Sequence, residues 1–282
     1  MAPLIRRIKL ALRPYRRGFA AWRAARAHNA TASGGTLWFF PERPAPKSGI
    51  FAVAEATGRS IRRGVSSTEP TFAWADNTVM AAPSARLLAV DAINVGCLDI
   101  SKRHVDQIHA EVFGRALTVD PFRHVGPMVE KSDDNAVHDG RIVDGPLTET
   151  VDGCVYQRVV DATDGDEAVD LRVAISRDRF AFVHEKRRPL ADRFGNDNTT
   201  VVIRELDDLF SVEEQEQLLA MARGLGMDLG EFDVLRDRND GLIWVVDANK
   251  TPYLRPSGLS EHDRRDTVAA LAAAVDATLL MD

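Results

Sequence analysis

The sequence has 282 residues, of which 45% are hydrophobic and 28% are charged, a composition typical of a globular protein with one large or two small cores. No apolar run reaches the roughly 18 residues that a membrane-spanning helix needs, and Cys97 and Cys154 lack the spacing of zinc ligands. We therefore expect a cytoplasmic protein with free thiols, with a Cys97–Cys154 disulfide as the alternative.

Residues 1–34 are predicted to form a basic amphipathic N-terminal arm. Residues 1–28 carry eight Lys or Arg and no acid, which leaves −14 for the rest of the chain because the total net charge is −6. Apolar side chains recur at helical spacing as far as Trp22, with a kink expected at Pro14. Two interpretations remain open: peripheral binding to an anionic membrane surface, or packing on the acidic body or on the second subunit of a homodimer. No further basic patch follows, so nucleic acid is not an expected partner.

Residues 35–97 are predicted to form a small α/β domain. Three strands are expected, at Thr36–Phe40, Thr71–Trp74 and Leu87–Val95, and one short helix at Gly49–Gly58.

A third unit is predicted for residues 98–282. Ser101 is expected to cap a helix that Gly114 ends. Five strands are predicted after it, at Arg115–Pro121, Gly126–Lys131, Gly153–Val160, Val169–Ser176 and Phe180–Pro189. The last two form a hairpin, and residues 132–146 read as a loop. Ser211 begins a capping box for a helix ending at Gly224, and a terminal helix spans Ser260–Leu280.

The segment from Glu231 to Pro256 reads as a β-hairpin whose loop contains Gly241. If Arg238 pairs with Leu242, counting back from the loop places Asp233 opposite Asp247 on one face of the ribbon. Facing carboxylates repel each other, so a cation is expected between them. Asn249 shares their face, and this oxygen set suits Mg²⁺. The alternative is that Asp247 and Asn249 only begin the turn before Pro252.

At these residues the chain resembles the ATP-grasp superfamily, which has a D-x-[LIV] strand followed by an [ED]-x-N-x-x-P strand end. Here these motifs are Asp233-Val234-Leu235 and the segment from Asp247 to Pro252. The resemblance implies an α+β ATP-grasp fold, in which two α+β subdomains clasp a nucleotide, preceded by a small α/β domain and the basic N-terminal helix.

The resemblance also implies a site that binds ATP and Mg²⁺. The metal ligands would be Asp233, Asp247 and Asn249. Lys102, which opens its helix, and Lys131, which ends its strand, would bind phosphates. The strand 153–160 matches the hinge that reads adenine, with Tyr156, Gln157, Arg158 and Val159 as cofactor-binding residues and Asp161 at the ribose. The acidic loop 132–146 lies where the superfamily has a mobile, glycine-rich, phosphate-covering loop.

Catalytic positions follow from a D-L-R strand, a K-R pair and an R-x-N motif, as in members resembling glutathione synthetase and the ribosomal-protein glutamate ligases. They correspond here to Arg172, to Lys186 with Arg187, and to Arg193 with Asn196, although Asn198 is an equal candidate. The implied enzyme is a carboxylate–amine ligase acting through an acylphosphate on small-molecule or peptide substrates. The alternatives are a kinase of a small molecule or glycan and a non-catalytic nucleotide-binding protein recruited to membranes.

Overall fold

The computed structural model of the protein describes residues 13–279. Helix α1, Arg13–Thr31, precedes a parallel sheet of four strands in the order β2-β1-β3-β4. The elements of this part are β1 Thr36–Pro41, α2 Gly49–Ala56, β2 Ser60–Arg63, β3 Thr71–Trp74, α3 Ala85–Leu88 and β4 Ala92–Ile93. The strand predicted at Leu87–Val95 is wrong: α3 takes its first residues, and β4 keeps only two.

Helix α1 closes one edge of this sheet. The Asn29 amide group donates to the carbonyl of Ile61 at 3.3 Å, and the Ile61 N–H donates to the Asn29 carbonyl at 2.8 Å. Asn29 thus satisfies backbone groups on the edge strand β2, while Ala25 is buried against the core. The interpretation that the arm packs on the body holds for this part of the helix. Most of the arm's arginines and most of its predicted apolar stripe lie outside the described side chains: Leu4, Ile8, Leu12, Tyr15 and Phe19.

A small antiparallel sheet comes next, with strand order β6-β5-β7. Its strands are β5 Gly126–Ser132, β6 Arg141–Gly145 and β7 Cys154–Arg158, and helix α4, Lys102–Phe113, precedes them. Ser101 accepts from the His104 N–H at 3.3 Å and Gly114 has a φ of 69°, so both predicted ends of α4 are confirmed. The predicted strand Arg115–Pro121 is wrong, since it forms only one bridge, Thr118 to Gln157.

The largest sheet is antiparallel, with the path β11-β10-β9-β12-β13 and β8 paired to β9. Its elements and connecting helices are β8 Thr163–Asp164, β9 Glu167–Ser176, β10 Arg179–Pro189, a 3₁₀ turn Leu190–Asp192, β11 Thr200–Arg204, α5 Leu206–Leu209, α6 Val212–Gly224, β12 Leu229–Arg236, β13 Ile243–Asn249 and α7 Glu261–Leu279.

The two faces of this sheet differ in chemistry because side chains alternate along each strand. One face packs through Val173 and Phe232 onto α4 and α6 in a continuous apolar core. The opposite face is apolar at one end, where Leu229 packs with Leu271 of α7. At its other end the same face carries charged residues, and these border a cleft against the small sheet and the N-terminal sheet.

Within residues 13–279, no helix is both long and apolar enough to cross a membrane. Cys97 and Cys154 are both free, as predicted. The described residues contain no group of three His, Cys, Asp or Glu side chains placed to hold a metal ion.

Candidate active site

Asp233 on β12 faces Asp247 on β13, as the sequence predicted. The expected route to this pairing was wrong in detail. Arg236 pairs with Ile243, one position away from the predicted register, and a bulge at Val246 inserts one extra residue that restores the facing pair. Gly241 has a φ of 74°, the left-handed conformation expected in the loop.

Asp233 is neutralised by two cations of the same sheet. The Arg172 guanidinium donates to its carboxylate through Nε at 3.0 Å and through a terminal nitrogen at 2.9 Å, and Lys186 Nζ donates at 2.8 Å. Burial alone would raise the pKa of Asp233, but Arg172 and Lys186 hold it well below its ordinary value. The repulsion between the two aspartates is therefore offset on the Asp233 side by protein cations.

Asp247 has a different environment. Burial raises the pKa of its carboxyl group, and the positive charges of Lys102 and Lys131 offset this only in part. One of its oxygens accepts from the Ala248 N–H at 3.1 Å. A buried carboxylate whose anion is disfavoured gains most from an added cation.

Lys131 and Lys102 both line the cleft beside this pair. Lys131 Nζ donates to the carbonyl of Val246 at 3.1 Å, and burial lowers its pKa to about 8. Lys102 Nζ donates to the carbonyl of Asp134 at 2.7 Å. Among residues 13–279 the hydrogen bonds of both ammonium groups go to backbone carbonyls, so their positive charges remain available to an anion in the cleft.

Asn249 lines the cleft but has its side chain engaged in a turn. Its Oδ1 accepts from the Thr251 N–H and from the Thr251 hydroxyl, both at 2.9 Å, and its Nδ2 donates to the Thr251 carbonyl at 3.0 Å. This is the local turn that the sequence offered as an alternative. Asn249 Oδ1 could bind a metal only after its hydrogen bond from the Thr251 hydroxyl is broken. A metal-ligand role for Asn249 stays a prediction.

Of the predicted pair Lys186–Arg187, only Lys186 lines the cleft, because side chains alternate along β10. Arg187 bonds to the acids Asp164 and Glu185 at 2.7 Å each, and does not line the cleft. Lys186 and Arg188 share the cleft-facing side of β10. Arg188, only 4% exposed as a side chain, donates to Asp170 at 2.6 Å.

Arg188 also holds the loop that carries the predicted R-x-N motif. It donates to the backbone carbonyl of Arg193 at 2.9 Å and to Asn198 Oδ1 at 3.2 Å. The Arg193 guanidinium reaches the carbonyl of Val160 at 3.1 Å, and Arg193 lines the cleft with Asn196 and Asn198. The structure thus brings Arg172, Lys186 and Arg193 to one cleft and adds Arg188.

The strand predicted as the adenine hinge ends at Arg158, two residues earlier than expected. Gln157 is 2% exposed, lines the cleft, and its Nε2 has no hydrogen-bond partner among the described residues. Aliphatic side chains line the cleft with it and form a surface suited to a flat base: Leu117, Val129, Val160, Leu235 and Val246. Arg158 also lines the cleft, with its guanidinium 4.5 Å from the centroid of the Trp244 ring.

Three predicted cofactor residues lie away from the cleft lining. The Tyr156 hydroxyl donates to Glu130 at 2.8 Å. The Asp161 carboxylate accepts from Thr163 at 2.7 Å, and neither Asp161 nor Val159 is among the lining residues. Contacts of these three residues with a nucleotide stay predictions.

The predicted loop 132–146 is shorter than expected because β6 occupies Arg141–Gly145. The rest of the loop is held by hydrogen bonds to two other segments of the chain. The Asn135 N–H donates to Thr78 Oγ1 at 2.8 Å, and His138 Nε2 lies 2.7 Å from Asn196 Nδ2. The acids Asp133 and Asp139 also accept from the N–H groups of Arg103 and Ser132, so this loop is held by protein contacts and does not offer a glycine-rich backbone.

The cleft encloses about 950 Å³, near the upper end of the range for ligand sites. Sequence reasoning missed Arg188 and Glu231 as parts of its charge network, and used Asp170 only as the first residue of the D-L-R motif. Period-2 alternation from Lys186 would have identified Arg188. Glu231 is fully buried behind Arg172, where burial raises its pKa to about 6, and no local motif distinguishes it.

No protein-family model matches the sequence, and no curated protein matches it. Solved structures do match in fold. The ATP-grasp ligase PsnB complexed with minimal precursor aligns with a TM-score of 0.54 at 14% identity, over 86% of this chain and 99% of that one. A complex of PsnB with a phosphomimetic variant of minimal precursor, Mg and ADP gives 0.54 at 13% identity, over 86% and 99%. The D-alanine–D-alanine ligase of Bacillus anthracis complexed with ATP gives 0.50 at 13% identity, over 86% and 98%.

The chain therefore has the ATP-grasp fold, and the resemblance predicted from its sequence motifs is confirmed at the level of fold.

Proposed function

We propose that this protein is an ATP-dependent ligase that joins a carboxylate to an amine through an acylphosphate. The observation that carries the proposal is the convergence of Lys102 and Lys131 with the facing pair Asp233 and Asp247 in one cleft. The ATP-grasp fold supports it, because the ligases named above share that fold.

The nucleotide would lie with its base against the aliphatic surface and its phosphates towards the two lysines. Gln157 offers the base its Nε2, which has no hydrogen-bond partner in the described part of the chain. Lys102 and Lys131 would neutralise the phosphate chain as movable point charges. The charge of Lys131 depends on pH because its pKa is lowered to about 8.

The residues present fit Mg²⁺ in part. Burial disfavours the anionic form of Asp247, which a bound cation would stabilise. Asp233 Oδ2 accepts one hydrogen bond, from Arg172, and so keeps a lone pair for a metal ion. Mg²⁺ held by these carboxylates, with Asn249 joining after release from Thr251, would supply charge neutralisation at the β and γ phosphates.

Phosphoryl transfer requires mainly positioning and electrostatic stabilisation. Arg172 and Arg193 would contact the transferring phosphoryl group, with Lys186 beside them. The substrate carboxylate oxygen attacks the γ-phosphorus and ADP leaves. The amine then attacks the acyl carbon, phosphate leaves, and the amine proton passes to solvent. Phosphorylation already activates the acyl group, so a dedicated general base is not needed.

The test is a coupled assay with ATP, MgCl₂, pooled carboxylic acids and hydroxylamine as the amine. The proposal expects ADP and a hydroxamate in equal amounts, each dependent on the acid. ADP release with a stable phosphomonoester and no need for amine would favour the kinase. Binding of ATP with no turnover across the panel would favour the non-catalytic alternative.

A further inference from the structure

The cleft extends beyond the phosphate-binding region to the N-terminal sheet. From β1 the chain passes through α2 to β2 on one side, and β3 lies on the other side of β1. The loops after β1 and β3 therefore diverge at the carboxyl ends of adjacent parallel strands. In open α/β sheets this divergence forms a crevice that binds ligands. Here it is lined by residues of both loops and opens into the cleft.

Three cations line this end of the cleft. Arg43 and Lys47 come from the loop after β1, and Arg255 comes from the segment after β13. None of the three forms an ion pair with a side chain in the described part of the chain. Arg43 Nε is buried without a hydrogen-bond partner among those residues. An anionic acceptor would provide the hydrogen bond that this buried guanidinium nitrogen lacks.

Arg43 is held in place by the N-terminal helix. Its guanidinium carbon lies 5.4 Å from the centroid of the Trp22 ring, within cation–π range. Trp22 itself is 48% exposed. The helix thus contributes an aromatic support to one of the three cations.

The two carboxylates of this region already have protein donors. Glu42 accepts from the Asp76 N–H at 3.4 Å, and Asp76 accepts from the Thr251 hydroxyl at 3.3 Å. Thr251 also contacts Asn249, so the three-cation region adjoins the predicted phosphoryl-transfer site. Neither carboxylate forms an ion pair in the described part of the chain, so the three cations and two carboxylates give this end of the cleft a formal net charge of +1.

We infer that the carboxylic acid substrate carries a second anionic group, which Arg43, Lys47 and Arg255 bind while its reacting carboxylate faces the γ-phosphate. The inference rests on the proposed function for the identity of the reacting group. The anion site itself does not depend on turnover. Helix α2 begins at Gly49, two residues after Lys47, and its amino end adds positive potential.

The experiment measures binding of tricarballylate, a small tricarboxylate, to the full chain saturated with Mg²⁺ and AMPPNP. Arg43→Ala and Arg255→Ala should each weaken tricarballylate binding by about tenfold or more, since each removes a charge-assisted contact. Trp22→Ala should weaken it less, because it removes only the support of Arg43. Arg62→Ala is the matched control: Arg62 is exposed on β2, outside the cleft lining, and its loss should leave binding unchanged.

Tricarballylamide, which has the same skeleton without charge, should not compete. Equal binding of tricarballylate by the wild type, Arg43→Ala and Arg255→Ala would overturn the inference, as would no measurable binding by the wild type. If tricarballylate binds as expected but no acid supports ADP release, the anion site stands and the ligase proposal fails. If turnover occurs with acids of single charge and is insensitive to Arg43→Ala, the ligase proposal stands and the inference fails.

Discussion

Lys131 Nζ on β5 donates to the backbone carbonyl of Val246 at 3.1 Å and so joins the small sheet to the large one. Val246 is the extra residue of the bulge in β13, so its position serves two purposes. The bulge brings Asp247 opposite Asp233, and its carbonyl receives the lysine that would neutralise ATP.

Burial lowers the pKa of Lys131 to about 8, so ATP binding should depend on pH near that value. Below about pH 8 the ammonium is charged and binds phosphate; as pH rises through 8 the free protein loses this charge and affinity falls. Phosphates favour the charged form, so ATP binding at pH 8 should take up protons. Calorimetry in buffers of different ionisation enthalpy measures this uptake. Lys131→Arg stays charged and should show none; a wild type without uptake at pH 8 would contradict the assignment.

Asp233 and Asp247 should respond differently to amide substitution. Asp233→Asn removes the nearest anion of Arg172 and Lys186 and leaves them only longer ion pairs, to Glu231 at 3.8 Å and to Asp170 at 3.6 Å, so it should lower the free energy of unfolding by about 3 kcal/mol. Asp247→Asn removes a carboxylate whose anion burial disfavours, and should leave stability unchanged or raise it. Urea denaturation of both variants measures the difference. Equal destabilisation would show that the two carboxylates share one structural role.

Arg188 and Arg187 offer a test of strand alternation. Arg188→Ala should reduce turnover strongly, because it removes the contacts to the Arg193 backbone, Asn198 and Asp170 together. Arg187→Ala removes bonds to acids outside the cleft and should leave the turnover number nearly unchanged. Steady-state kinetics on both variants, with Arg188→Lys to separate charge from geometry, decides the matter. A larger loss in Arg187→Ala would restore the original Lys186–Arg187 prediction.

Asn29 should stabilise the junction between α1 and the N-terminal sheet. Asn29→Ala removes two hydrogen bonds to Ile61 and should lower the free energy of unfolding by about 1–3 kcal/mol. Thr31→Ala is the control, because the Thr31 hydroxyl bonds only within its own helix. Thermal unfolding of the two variants gives the comparison. Identical midpoints would mean that the edge of β2 does not depend on α1.

The sequence predicted the hairpin and its facing aspartates because period-2 alternation and a glycine loop constrain the ribbon strongly. The error in register shows the limit of that reasoning. Val246 is an ordinary strand residue by composition, and nothing local marks it as a bulge. The prediction of facing aspartates succeeded because two shifts cancel. The pairing next to the loop is one residue away from the predicted register, and the bulge at Val246 moves it back by one residue.

Other parts of the site were beyond local reasoning for a different reason. The role of Glu231 depends on burial behind Arg172, and the tie between Asn135 and Thr78 joins residues far apart in the chain. The first contact crosses neighbouring strands β9 and β12, and both contacts join segments that local sequence patterns treat separately. Arg188, in contrast, could have been predicted from the alternation that already placed Lys186.

The most direct test of the account is a calorimetric titration of the wild type and Asp247→Asn with ATP, with and without MgCl₂. With Mg²⁺ we expect the variant to bind ATP about tenfold or more weakly, because it lacks a carboxylate ligand. Without Mg²⁺ it should bind at least as tightly as the wild type, because a negative charge beside the phosphates has gone. Equal affinity of the two proteins for ATP in the presence of Mg²⁺ would contradict the assignment of this cleft.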